Sequence, residues 1–214
     1  MSIKKIYLVR HGQTDYNLRG VVQGSGIDSV LNSTGQRQAE LFFEQYKDVP
    51  FDKVYTSALQ RSVQSVQGFI DLGIPHEKHA GLNEISWGTR EGTRMTPEED
   101  AYYFDMLQRW TNGETSVCIE GGESPEVVAA RQRPVVDLIL SRPEEETILI
   151  CMHGRAMRIL LCVLLNYPLS CMEEFEHQNL CLYRLDYTGT MFQVKSYCDV
   201  EHLAKFNEDA QTKG

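Results

Sequence analysis

Two histidines stand at matching places in this chain. In "IYLVRHGQT", residues 6–14, an apolar run ends on Arg10 and His11 and is followed by Gly12; in "ILICMHGRA", residues 148–156, a second apolar run ends on His153 and Gly154. Guanidinium, imidazole and glycine at the end of a buried run suit an anion. The guanidinium donates two parallel hydrogen bonds to adjacent oxygens, and glycine lets the backbone turn close to a ligand. Arg61 in "TSALQRSVQS" (56–65) adds a second guanidinium. Glu84 in "LNEISWGTREG" (82–92) adds a carboxyl in the company of Ile85 and Trp87. Apolar company of that kind raises a carboxyl pKa and keeps a proton at neutral pH. Two guanidiniums, two imidazoles and a carboxyl able to keep its proton are groups that could gather around a phosphate.

Something rigid must hold these groups together. "IYLV", "KVYT" (53–56), "ILIC" (148–151), "CLYRLDY" (181–187) and "MFQVKSY" (191–197) are short and rich in β-branched and aromatic residues, the pattern of strands. The first and third are apolar throughout, as expected of central strands covered on both faces, and the last two flank "TGT" as an edge hairpin. Helices are expected over 33–47, with Ser33 and Gln36 as a capping box, and over 58–72, with Leu59, Val63, Val66 and Ile70 on one face. A further helix opens at Thr96, with Pro97 in its first turn and Glu99 at its third position, and presents Tyr103, Met106, Leu107 and Trp110 together. Another opens at "SPEVV" (124–128), where Pro134 should kink or interrupt it, and the last follows Gly154 with Met157, Leu160, Leu161 and Leu164 inward.

Alternating strands and helices imply a three-layer α/β/α sandwich with a central, mainly parallel sheet and an antiparallel edge hairpin. Ligands bind beyond the carboxyl ends of such strands. If the strands ending at Arg10 and Cys151 are parallel neighbours, their ends lie about 5 Å apart, and one phosphate spans the gap between His11 and His153. The helix beginning near Gly154 then points its free N–H groups at the same place. Arg155 and Arg158 sit in its opening turns, where the helix dipole disfavours cations; a nearby anion would compensate, and for Arg158 a salt bridge to one of the many acids is the better expectation.

With 214 residues, no repeat and no compositional break, residues 1–214 read as one domain. The net charge of −9 argues against nucleic acid and anionic membranes as partners, yet does not forbid an anionic small substrate gathered by a few arginines. The longest apolar run, Ile159 to Leu165, is too short to span a membrane, and the strand pattern begins almost at residue 1, so a soluble, cytoplasmic protein is expected. Six cysteines with no C-x-x-C pair read as reduced thiols, with one disulfide left open.

Arg10-His11-Gly12 after an N-terminal strand, Asn17, Ser57-x-Leu59-x-Arg61, Leu82-x-Glu84, "GGES" at 121–124 and His153-Gly154 come in the order of the histidine phosphatase superfamily. From Ile6 to about Asn179 the chain resembles its phosphoglycerate mutase-like branch. The resemblance implies that His11 attacks phosphorus, that Arg10, Arg61 and His153 clamp the phosphoryl oxygens, that Asn17 and Gln23 add neutral donors, and that Glu84 protonates the leaving alkoxide. It implies a metal-independent phosphatase acting on small phosphomonoesters through a phosphohistidine, with no cofactor and no metal. His153 in a protonated state would add to the positive field that replaces magnesium.

Departures from the family pattern bear on substrate. Ala58 stands where proline is common, and "EISWGTREG" lacks the Arg-x-Tyr-Gly of the mutases and looks more like the broad-specificity phosphatases. Arg155 replaces a small residue and would read a second anionic group on the substrate. Two alternatives stay open: a phosphoglycerate mutase using the same phosphohistidine, and a catalytically silent protein that binds phospholigands. A metallohydrolase built on His11, His153 and Glu84 ranks last, since arginine beside a divalent cation is electrostatically costly. His76 and His79 in "HEKH" read as solvated rather than as a metal pair, and Gly20, Gly24 and Gly26 do not fit a dinucleotide motif. The helical insertion around 93–118 is expected to form a small cap that shapes substrate choice. A small phosphorylated metabolite is the expected partner, and a homodimer stays open.

Overall fold

The computed structural model describes residues 3–94 and 96–204, apart from the side chains of 97–100. Its strands are β1 (Lys4–Arg10), β2 (Lys53–Thr56), β3 (His76–Lys78), β4 (Thr147–Met152), β5 (Leu182–Tyr187) and β6 (Phe192–Asp199). They form one sheet in the order β3-β2-β4-β1-β5-β6. The pairs β1–β4, β2–β4 and β2–β3 are parallel, while β5 and β6 run antiparallel as the edge hairpin. The two apolar runs therefore lie side by side in the middle of the sheet, where both faces are covered and their composition has a physical use.

Seven α-helices accompany the described strands: α1 (Asp15–Leu18), α2 (Ser33–Tyr46), α3 (Gln60–Ser65), α4 (Gln67–Asp71), α5 (Pro97–Thr111), α6 (Pro125–Leu140) and α7 (Gly154–Leu165). Alternation along β1 sends Ile6 and Leu8 into one core with Met106, Trp110, Val128, Ile139 and the buried face of α7. Tyr7 and Val9 enter a second core with Phe42, Val66 and Phe69 from α2 and the region of α4. Two cores, one on each face, make the three layers. Among the described residues no helix is long and apolar enough to cross a membrane, and all six cysteines are free thiols.

Several local expectations are corrected. Asn32, not Ser33, caps α2, its Oδ1 accepting the Gly35 N–H at 2.9 Å, so the Ser33–Gln36 box does not form. The helix expected over 58–72 is two, broken at Val66 (φ −123°, ψ 16°). α3 turns Arg61, Ser62 and Ser65 inward and leaves Val63 half-buried, the reverse of an ordinary amphipathic helix, because the space it faces is polar. α6 runs through Pro134 without interruption. Pro134 and Ala130 both lie on its exposed side, where the carbonyl deprived of its partner can meet water. "HEKH", expected to be solvated, supplies β3: His76 Nε2 lies 2.9 Å from Thr56 Oγ1, and Glu77 pairs with Lys53 and Arg142. An edge strand tolerates such polarity because one side of it has no neighbour.

Candidate active site

The site is built on the turns that leave β1 and β4. Arg10 is in register with Met152, so His11 and His153 emerge side by side, with ring centroids 5.1 Å apart. Both are buried. The His11 N–H donates to the Met152 carbonyl (3.0 Å), and the His11 carbonyl accepts from Asn179 Nδ2 (3.0 Å), which holds the turn on both sides. His11 Nδ1 lies 2.7 Å from the Gly12 carbonyl oxygen. A carbonyl only accepts, so Nδ1 carries the proton and the lone pair is on Nε2. Gly12 is required here: a Cβ would stand 2.7 Å from the Gly35 carbonyl oxygen at the start of α2.

Arg61 Nε donates to His153 Nδ1 at 3.2 Å, so the His153 proton is on Nε2, which donates to Ser57 Oγ at 2.7 Å. Burial first, and then the charge of Arg61, hold both imidazoles well below the ordinary histidine value of 6.5. His153 is therefore neutral, which corrects the protonated state the sequence suggested. The positive charge of the site belongs to the arginines. Arg61 is fully buried and its NH1 donates to the Ile27 carbonyl (2.6 Å) and its NH2 to that of Gly24 (3.2 Å), while burial lowers its pKa to about 10. Arg10 NH1 donates to His177 Nδ1 at 3.0 Å, and its buried Nε has no partner among the described residues.

Glu84 is buried but not in the apolar company that the sequence implied. Ile85 and Trp87 belong to the core. The Glu84 carboxylate turns to the beginning of α7 instead: Oε1 accepts the N–H groups of Ile85 (2.9 Å) and Ala156 (2.8 Å), and Oε2 that of Arg155 (3.2 Å). Thus α7 presents the N–H groups of Arg155 and Ala156 to a resident carboxylate. The expectation that they point at a phosphate is corrected, and the macrodipole now seats Glu84.

The remaining candidates are held by their own neighbours. Asn17 Oδ1 accepts from Thr14 N and Oγ1, both at 3.1 Å, and lies 3.4 Å from Asn179 Nδ2. Gln23 Oε1 lies 3.0 Å from Thr14 Oγ1 and shares that hydroxyl's proton with Asn17 Oδ1, and Gln23 Nε2 donates to Ser29 Oγ. Gly154 lies under the His177 ring. The Arg155 guanidinium pairs with Glu173, donates to Tyr103 Oη at 2.9 Å and lies 5.6 Å from the Trp110 ring, so its charge is engaged within the protein. Arg158 pairs with the other oxygen of Glu173 at 2.6 Å, the salt bridge expected of it.

Four residues with a place in this geometry were given no role by the sequence: Thr14, Ser57, His177 and Asn179. Ser57 and Asn179 lie in or at the end of the ordered motifs, and hydrogen-bonding side chains beside a histidine are a signal. Nothing local marks His177, whose partner Arg10 is 167 residues away.

A three-layer α/β/α fold with two histidines, two arginines and a buried glutamate beyond adjacent parallel strands defines a class. Residues 6–200 match the histidine phosphatase superfamily (branch 1), and the chain belongs to that family of enzymes. It is 32% identical over 208 residues to the probable phosphoglycerate mutase GpmB of Yersinia enterocolitica, covering 93% of this chain and 94% of the relative. Its fold resembles phosphoserine phosphatase from Entamoeba histolytica, solved with 3-phosphoglyceric acid, at a TM-score of 0.81 and 25% identity over 94% of this chain and 99% of the other. It also resembles mycobacterial glucosyl-3-phosphoglycerate phosphatase, at a TM-score of 0.81 and 24% identity over 92% and 100% of the two chains.

Proposed function

We propose that this enzyme is a metal-independent phosphatase that hydrolyses small phosphomonoesters in the cytoplasm through a phosphohistidine on His11. The observation that carries the reading is the His11 tautomer. Its Nδ1–H is held by the Gly12 carbonyl, its Nε2 keeps a lone pair, and burial first, then the charges of Arg61 and Arg10, lower its pKa. Such a group is a nucleophile with a cationic site for the phosphoryl oxygens beside it.

Nε2 attacks phosphorus, an N–P bond forms and the P–O bond to the alcohol breaks, while Glu84, which enters the cycle protonated, gives the alkoxide its proton and is left as the carboxylate that the α7 N–H groups hold. Water then attacks the phosphohistidine, Glu84 takes a proton from it, and the N–P bond breaks to restore neutral His11. Arg10 and Arg61 bind the phosphoryl oxygens and His153 joins them by giving up its Nε2–H bond to Ser57 Oγ, with Asn17 and Gln23 as neutral donors at the rim and the Gly154 backbone close by. The segment around 93–118 acts as a cap over the leaving group. The reach of Arg155 from α7 to Tyr103 on α5 supports a link between that cap and the site.

After mixing with a phosphorylated substrate, the protein should carry an acid-labile phosphoryl label, and His11→Ala should lose label and turnover together. Turnover retained in that variant would sink the reading. Likeness to a probable phosphoglycerate mutase supports a second reading with the same chemistry. Isomerisation of phosphoglycerate that depends on a bisphosphate primer, and outpaces phosphate release, would favour it.

A further inference from the structure

The family motifs account for His11, His153, both arginines and Glu84, but not for the group that holds Arg10. We propose that His177 is a positioning residue that fixes the Arg10 guanidinium at the phosphoryl site through a neutral hydrogen bond and leaves its charge uncancelled. The inference rests on the phosphohistidine reading above for the role of Arg10.

Two contacts fix the His177 ring. Its Nδ1 accepts from Arg10 NH1 at 3.0 Å. Its other side lies on Gly154: a Cβ there would stand 3.0–3.2 Å from Cε1, Nδ1 and Nε2 of the ring. The imidazole is thus wedged between the end of β1 and the start of α7, the two turns that carry His11 and His153. Because glycine at 154 leaves that seat open, the turn after His153 helps to place a cation that arrives with His11.

The choice of an imidazole has a chemical consequence. A carboxylate would also hold a guanidinium, and more strongly, but its charge would compete with an incoming phosphate for the same cation. An apolar side chain would leave NH1 unsatisfied and a long, rotamer-rich side chain loosely held. A neutral imidazole holds the guanidinium and subtracts nothing from its charge. Burial first, and then the charges of Arg10, Arg158 and Arg155, keep the His177 pKa down at about 2, so the ring remains an acceptor. Arg10 Nε, buried and without a partner among the described residues, is left as a donor for a phosphoryl oxygen.

The test compares His177→Leu, His177→Asn and His177→Asp in the full chain. Affinity for inorganic phosphate is measured by titration calorimetry, alongside kcat and KM on an aryl phosphate and the unfolding temperature. Asn can place Oδ1 near the position of Nδ1, so it should bind phosphate within about threefold of wild type. Leu should bind at least tenfold more weakly, roughly the loss of one hydrogen bond to a charged group. Asp should bind at least tenfold more weakly than Asn. The loss in kcat/KM should be at least as large as the loss in phosphate affinity, and should not track the unfolding temperature. Should the Leu variant fail to fold, Asn against Asp still decides, because the two differ in charge and hardly in shape. Equal phosphate affinity in Asn and Asp, or wild-type affinity in Leu, would overturn the proposal. A wild-type chain that binds phosphate but turns nothing over would instead sink the hydrolase reading, and the comparison of variants would still be decided by binding.

Discussion

Acid should unfold this protein through its buried histidines before its carboxylates titrate. His11, His153, His177 and His202 are all held below the ordinary value of 6.5 with burial as the leading cause, His177 at about 2 and His202 at about 4. Above pH 6.5 neither the folded nor the unfolded chain protonates them, and they add no pH dependence. Below 6.5 the unfolded chain binds protons that the folded chain refuses, so stability falls as pH falls, by about 1.4 kcal/mol per unit for each histidine, until the folded-state value is passed. At pH 5, about 1.5 units below the free value, His177 and His202 together remove about 4 kcal/mol. His11 and His153 act in the same direction in the same window. Folded domains hold about 5–15 kcal/mol in all, so the loss is a large share of it. Glu77, kept at about 2 by its hydrogen bonds from Lys53 and Arg142, contributes only below the ordinary carboxyl value of 4.5. Urea denaturation followed by circular dichroism in half-unit steps from pH 7.5 to 5 measures this. The unfolding free energy should be nearly flat at the top of that range and fall with a slope of several protons below pH 6. His202 lies 5.2 Å from the Phe42 ring and 5.8 Å from that of Tyr46, so His202→Phe fits the aromatic cluster and should take one proton off the slope. A free energy unchanged from pH 7.5 to 5, or a slope indifferent to His202→Phe, would refute the reasoning.

Two substitutions probe the site directly. Glu84→Gln replaces one acceptor oxygen by an NH2 that faces backbone donors, so it should cost about 1–3 kcal/mol in urea denaturation and lower turnover by about 10²–10⁴. The phosphoryl label from an aryl phosphate should still form in this variant and persist; its absence would remove Glu84 from the second step. Ser57→Ala deletes the oxygen that meets His153 Nε2, Leu59 N and Ser62 Oγ. It should cost about 2–4 kcal/mol through unsatisfied buried donors, lowering the calorimetric melting temperature by roughly 5–15 °C. An unchanged melting temperature would argue against the His153 tautomer assigned here.

Much of the architecture was legible because burial leaves a mark on composition. Residues 6–9 and 148–151 are apolar without alternation, which only a strand covered on both faces requires, and they became the adjacent parallel pair β1 and β4. The polar groups at their ends had no local reason to be there, so they pointed to a site. Failures followed from the same logic. α3 buries Arg61, Ser62 and Ser65 because it faces that polar site, and a hydrophobic pattern cannot show a face that is polar for a tertiary reason. Asn32 outcompetes Ser33 as the cap of α2 because cap choice depends on where the backbone turns, which neither residue type fixes alone.

What the chain determined by residue type alone was the chemistry available: two imidazoles, two guanidiniums and a carboxyl, carried on strands and helices whose order implied an α/β/α fold. Tertiary structure decided the state in which each group is presented. The Gly12 carbonyl and the Arg61 guanidinium chose the tautomers of His11 and His153, and the start of α7 took Glu84. His177 came from 167 residues away to hold Arg10. Protonation state and orientation depend on distance and burial among groups remote in sequence, and those exist only once the sheet has brought the ends of its strands together.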